Sequence, residues 1–243
     1  MRSEQDSRRR FYAASTIKVA VMIAVFRLVD QRALGLDHQL EIATTFPSAI
    51  DAARFELDPD DVDVELAAKA GQGLPVGDLV ERMITVSSNE ATNLLMGLVG
   101  IPAVARVLAE LGAGDSLVGR LIGDRAAKEA GISNEVTPAD LAQLLTAMAS
   151  GRAASQASCQ AMLVLLERQR YRDEIPAALP RGTRVGSKNG WVDGILHDAA
   201  LVWPDDAEPF CLVVCTEGFP SQDSAREAIR AVASWTWLHR LRS

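Results

Sequence analysis

Cysteine is scarce in this chain, and the thiols present cannot build a framework. Of 243 residues only Cys159, Cys211 and Cys215 carry one. Cys211 and Cys215 fall in one apparent strand, which sets their Cα atoms roughly 13 Å apart, beyond the reach of a disulfide. They read as buried apolar filler. The histidines, His38, His197 and His239, match no zinc spacing, so neither a metal nor a cofactor is expected. Positive charge is not in excess: a formal net charge of −7 and a pI near 5.1 argue against nucleic acid as a partner, because phosphate backbones are held by basic surfaces. A small molecule or peptide fits better. No run is long and uncharged enough to span a bilayer. The stretch "SRRRFYAAS" before an apolar run imitates a twin-arginine export signal, but Lys18 interrupts that run and Arg27 and Asp30 end it. As written, the chain reads as cytoplasmic, and as exported if its natural start lies upstream.

Apolar side chains are abundant, at 48% of the composition, enough for a large core in a single domain over 1–243. Repeats and low-complexity segments are absent. From 13 to 180 the pattern is helical: "IPAVARVLAELGAG" has Pro102 near a helix start and Gly112 at its end, and "TPADLAQLLTAMASG" has Thr137 as cap, Pro138 at the first position and Gly151 closing. From 181 to 243 the signal changes to strands, "TRVGSKNGWV", "ILHDAALVW" and "FCLVVCTEG", with a turn at Asp193-Gly194 and a last helix. Helices followed by an antiparallel meander under a covering helix define an α+β class. The acid-rich "ELDPDDVDVE" (56–65) lacks the glycine and final bidentate glutamate of a calcium loop and reads as a solvated loop.

One lysine stands out. In "AASTIKVAVMIAVFRLVD", Ile17, Val19, Val21, Met22, Ile23, Val25, Phe26 and Leu28 cover every side of a helix, which must then be buried all round, together with Lys18. Lysine is rarely buried unless paired; desolvation and the positive end of a helix both favour its neutral form. Ser15, three residues earlier, lies on the same face. A neutral amine beside a hydroxyl can take its proton, which makes a serine nucleophile. The plain alternative is a snorkelling lysine with Ser15 as a helix cap. Of 25 basic residues only Lys18, Lys69, Lys128 and Lys188 are lysine. Arginine cannot give up its proton whereas lysine can, so a lysine kept here fits a position where deprotonation matters.

Two further stretches complete a pattern: Ser87-Ser88-Asn89 in "MITVSSNEATNLLM" and Lys188-Asn189-Gly190 in "VGSKNGW". With "STIK" they resemble, in order and spacing, the S-x-x-K, S-D-N and K-T-G motifs of class A β-lactamases and penicillin-binding proteins. The resemblance covers nearly the whole chain. It implies a β-lactamase/transpeptidase-like fold, with a helical lobe beside a sheet lobe. It also implies Ser15 as the acylated nucleophile, Lys18 as proton acceptor, Ser87 as proton donor to the leaving amine, and Lys188 as the source of positive potential. Asn89, Asn189, Gly190 and Trp191 would bind substrate, with the N–H groups of Ser15 and Trp191 as oxyanion hole.

The sequence leaves the family at three places. Ser88 stands for the motif's aspartate, and Asn189 for the threonine or serine that helps to grip a substrate carboxylate. The family's R-x-E-x-x-L-N glutamate, which activates the deacylating water, is missing: the two ways of counting through "GRLIGDRAAKEAGISNEVTP" arrive at Leu121 and Ile122. Asp124 is the nearest acid and the candidate water-activating residue, with Glu129 and Glu135 further off; the plain alternative for each is a surface charge or a helix cap. Acylation is therefore expected to survive and deacylation of lactams to be slow. The alternative is a degenerate, noncatalytic binding protein on the same fold. The residues before Ser15 are too few and too polar for the strands that in this family flank the last strand of the meander. The edge at 210–215 is accordingly expected to be bare, completed upstream or covered by a homodimer.

Overall fold

The structure, a computed structural model, describes residues 4–51 and 53–241. A two-residue strand, β1 (Phe11–Tyr12), leads into a 3-10 turn over Ala14–Ile17 and then α1 (Lys18–Asp30). Every residue from Lys18 to Phe26 is buried, as an all-round apolar helix requires. Short pieces follow: β2 (Gln39–Glu41), β3 (Thr45–Pro47), β4 (Arg54–Glu56), α2 (Val64–Ala67) and β5 (Gly73–Pro75). β2 pairs with β5 and β3 with β4, both antiparallel. These little hairpins interrupt the stretch read as helical; with three residues each they carry too little alternation for a period of two to register.

Helices α3 (Val76–Thr85), α4 (Asn89–Val99) and α5 (Ile101–Glu110) pack against α1. Next come α6 (Arg125–Glu129), β6 (Glu135–Val136), α7 (Pro138–Ala149) and α8 (Gln156–Glu167). Thr137 caps α7 through the Asp140 N–H at 3.1 Å, and Gly112 and Gly151 close α5 and α7 at φ of 74° and 72°, left-handed geometry that glycine adopts without strain. β6 pairs back onto β1, which ties the entry to α1 to the segment before α7.

The meander is β7 (Arg184–Val192), β8 (Ile195–Trp203) and β9 (Phe210–Glu217), in that order in the sheet, closed by α9 (Gln222–His239). The β7–β8 turn is Asp193-Gly194, as the sequence indicates. Alternation along β8 builds two cores: Ala199 and Leu201 join the helical lobe, whereas Leu196, Ala200 and Val202 meet Ile229 and Ala233 of α9. Cys211 and Cys215 are half-buried and not fully buried as expected; they pack against the helical core, and the desolvation of their thiols pushes both up to about 12. The fold is α+β, of the expected arrangement.

β9 pairs with β8 on one side and, among the described residues, with no strand on the other. The N-terminal stretch does not cover that edge: Phe11 and Tyr12 are engaged by β6, and residues 1–3 lie outside the described ones. No single described helix is long and apolar enough to cross a membrane.

Candidate active site

The nucleophile turn is held from two sides. The Ala13 N–H donates to Asn134 O at 2.9 Å, and β7 passes so close that a Cβ on Gly190 would stand 2.6 Å from Ser15 N and 3.0 Å from Thr16 N. Glycine is required there by proximity. Ala14 has φ of 44° and Ser87 φ of 59°, a region that costs a residue with a Cβ about 1–3 kcal/mol and is tolerated where surroundings enforce it. Among the described residues, two of the four non-glycine residues with positive φ thus flank this one site. Ser15 itself is half-buried at the meeting of two hollows of about 410 and 380 Å3, both also lined by Asp61, Asn89 and Trp191.

Lys18 and Lys188 are both fully buried. Lys18 Nζ lies 2.6 Å from Ser87 O, 3.1 Å from Ser87 Oγ and 2.8 Å from Asn89 Oδ1. Its hydrogen-bonding capacity is thus spent on the Ser87–Asn89 segment and not on the Ser15 hydroxyl, where the sequence places it. Catalytic hydrogen bonds are often formed only once substrate is present. Lys188 Nζ approaches the same Ser87 Oγ at 3.1 Å from the other side and also donates to Asn189 O at 2.7 Å. Burial holds the Lys18 amine well below its ordinary range, and the Lys188 charge adds to that, against Glu90 and Asp61. Lys188 is lowered to about 7 by burial, against the attraction of Asp198 and Glu174. One hydroxyl between two amines, both disposed to be neutral, can pass a proton either way.

Ser88 caps α4 through the Ala91 N–H at 3.3 Å. The anchoring that an aspartate would give is supplied by neighbours that the sequence did not mark. Buried Glu90 accepts the Asp63 N–H with both oxygens at 3.0 Å, and Asp63 pairs with Arg82 at 2.6 Å. The acid-rich loop is therefore no mere solvated segment: Asp63 locks it, and Asp60 and Asp61 reach the cleft. Asn189, 2% exposed, turns its amide onto buried Glu174 at 3.1 Å, and Glu174 takes Arg226 at 3.3 Å. Asp198, across the strand pair from Asn189, is raised to about 7, chiefly by burial. Trp191 is exposed and meets Tyr171 edge-on at 5.2 Å.

Asp124 requires a correction. It is buried, caps α6 through the Ala127 N–H at 3.1 Å, and accepts the Ser48 hydroxyl at 3.0 Å and the Ala49 N–H at 2.8 Å. A carboxylate so committed is a loop clamp, not a base free to activate water. Leu121 is buried, and Ile122 is bound through its main chain to Asn93 at 2.8 and 2.9 Å.

The "Beta-lactamase enzyme family" model matches residues 3–239. A β-lactamase structure from Sphaerobacter thermophilus DSM 20745 is 34% identical, with a TM-score of 0.81 over 97% of this chain and 84% of that one. Among curated relatives, a Proteus vulgaris β-lactamase is 28% identical over 84% of this chain, and the carbapenem-hydrolyzing β-lactamase KPC of Klebsiella oxytoca is 28% identical over 67%. The chain spans 66% and 57% of the lengths of those two relatives. With the serine turn and the two buried lysines carried on a fold matched over 97% of the chain, and the family model matched over residues 3–239, this chain belongs to the β-lactamase enzyme family.

Proposed function

We propose that the chain forms an acyl-enzyme on Ser15 with a lactam, peptide, amide or ester, and that it releases β-lactam adducts slowly. The observation that carries this reading is the buried Lys18 amine, held beside Ser87 Oγ and Asn89 Oδ1 and biased toward its neutral form. As substrate enters, neutral Lys18 takes the Ser15 proton and the Ser15 oxygen attacks the carbonyl carbon. The N–H groups of Ser15 and Trp191 receive the developing oxyanion. Ser87 gives its proton to the departing nitrogen or oxygen as that bond breaks, and regains one from Lys18. Lys188 holds Ser87 and, when protonated, supplies positive potential; Asn89 binds the substrate amide.

Deacylation lacks a counterpart. Neither Leu121 nor Ile122, where the family's glutamate is expected, can take a proton from water, and Asp124 is clamped; loss of a positioned base there is worth about 10² to 10⁴ in rate. The test is intact-mass detection of adducts after incubation with a fluorescent penicillin and a fluorophosphonate, followed by stopped-flow acylation and adduct decay. Labelling should vanish in Ser15→Ala and nearly so in Lys18→Arg, since arginine keeps its proton. No labelling by either probe would favour the noncatalytic binder, and adduct decay at the rate of an efficient β-lactamase would overturn the slow-release half.

A further inference from the structure

We propose that the end of the cleft built from Arg120, Lys128 and Tyr12 is a subsite for a carboxylate on the acyl part of the substrate. Arg120 is 2% exposed, yet among the described residues it has no carboxylate partner. Its Nη2 donates to the Tyr12 hydroxyl at 3.0 Å, its Nη1 to Leu121 O at 3.2 Å, and its buried Nε has no partner. Asn134, which grips its main chain at 3.2 and 3.0 Å, is an amide and brings no charge. A guanidinium removed from water without a counter-charge is costly and becomes favourable once an anion arrives. Lys128, exposed and likewise without an acid partner among the described residues, sets its Nζ 5.9 Å from the Tyr12 ring centroid, with Arg120 5.6 Å from the same ring. Acids line this hollow as well: Arg125 is matched by Asp58, Asp124 is held by uncharged donors that do not cancel its charge, and Asp61 and Asp193 are solvent-exposed, so an anion would be held by the local Arg120–Lys128 pair and not by the hollow's overall charge.

A second, independent observation concerns the opposite end. There Asn189 has no hydroxyl to offer a carboxylate, and it leans on buried Glu174 with buried Asp198 nearby. An anion placed beside Asn189 would meet these two acids. Direction follows from the lining. The hollow holding Arg120 and Lys128 contains Ser15 but not Ser87, and the hollow holding Ser87 contains Ser15 with two other cations, Arg82, paired with Asp63, and exposed Arg170. The leaving group departs toward Ser87, so the acyl part lies toward Arg120. This assignment of direction rests on the acyl-enzyme reading above.

The test has a binding arm and a reaction arm. In the first, glutarate and its neutral counterpart glutaramide are titrated calorimetrically into the full chain, its Arg120→Gln variant and the surface variant Lys128→Gln, which leaves the fold intact should Arg120→Gln unfold. Glutarate should bind at least about tenfold tighter than glutaramide, the difference expected of a charge-assisted hydrogen bond, and Lys128→Gln should reduce that preference. In the second, Ser15 acylation by p-nitrophenyl glutarate should exceed that by p-nitrophenyl pentanoate, again dependent on Lys128. Equal binding of glutarate and glutaramide, or a preference untouched by both variants, overturns the subsite. Lys128-dependent glutarate binding with no acylation by either ester leaves the subsite standing and overturns the acyl-enzyme reading. Equal acylation by both esters, with no effect of Lys128→Gln, does the reverse.

Discussion

Gly190→Ala is the most demanding perturbation of the nucleophile's support. The added methyl would stand 2.6 Å from Ser15 N, 3.0 Å from Thr16 N and 3.1 Å from Ala14 Cβ. None of these atoms belongs to a flexible side-chain end, and Ala14 already sits at φ of 44°, so β7 and the serine turn must separate. Overpacking of this kind costs about 1–3 kcal/mol, which for a chain of this size means a Tm lower by about 2–12 °C. The rate is hit harder, because displacing a reacting atom by about 1 Å costs roughly 10²-fold. Calorimetry and the rate of fluorophosphonate labelling on the same preparations measure both. A Gly190→Ala protein that labels at the wild-type rate would refute the argument that β7 positions Ser15, whatever its Tm.

Three further outcomes are expected. Gly97, exposed inside α4 with nothing within 4 Å of a built Cβ, should give a Gly97→Ala protein more stable by about 0.5–1 kcal/mol in urea unfolding; a loss would count against an unstrained helix there. Asp198 is raised from 3.8 to about 7, so the native state holds its proton where the unfolded chain has lost it. That contribution to stability is complete below about 4 and lost as pH rises to about 7. Asp198→Asn should flatten urea-derived stability across that window, and an unchanged slope would refute the assignment. The β9 edge, unpaired among the described residues, is expected to recruit a second copy, which sedimentation equilibrium checks against a strictly monomeric chain.

Much of this was legible in the sequence because it rests on local pattern. Periodicity located α1, caps and glycines placed the ends of α5 and α7, and the Asp193-Gly194 turn set the β7–β8 register. The lysine in an apolar helix announced its own burial. What escaped depends on distant partners. Glu90, Glu174 and Asp198 look like ordinary acids until the fold brings Asp63, Asn189 and Lys188 to them. Lys18 turning to Ser87 is likewise a tertiary choice, made among residues 69 and 71 positions away. For Asp124 the helix cap was legible locally, through the Ala127 N–H three residues on, whereas its Ser48 partner lies 76 positions upstream.

The hydroxyl shared by Lys18 and Lys188 has a consequence in time as well as in space. Ser87 is separated from Lys18 by 69 residues and from Lys188 by 101, so its two amine contacts close long loops, which fold slowly because chain entropy is lost before the contacts form. Helical signal should return early during refolding and labelling of Ser15 late, after β7 has docked against the serine turn. A probe added at successive refolding times would then follow the joining of distant chain segments, with each labelled molecule marking a completed assembly.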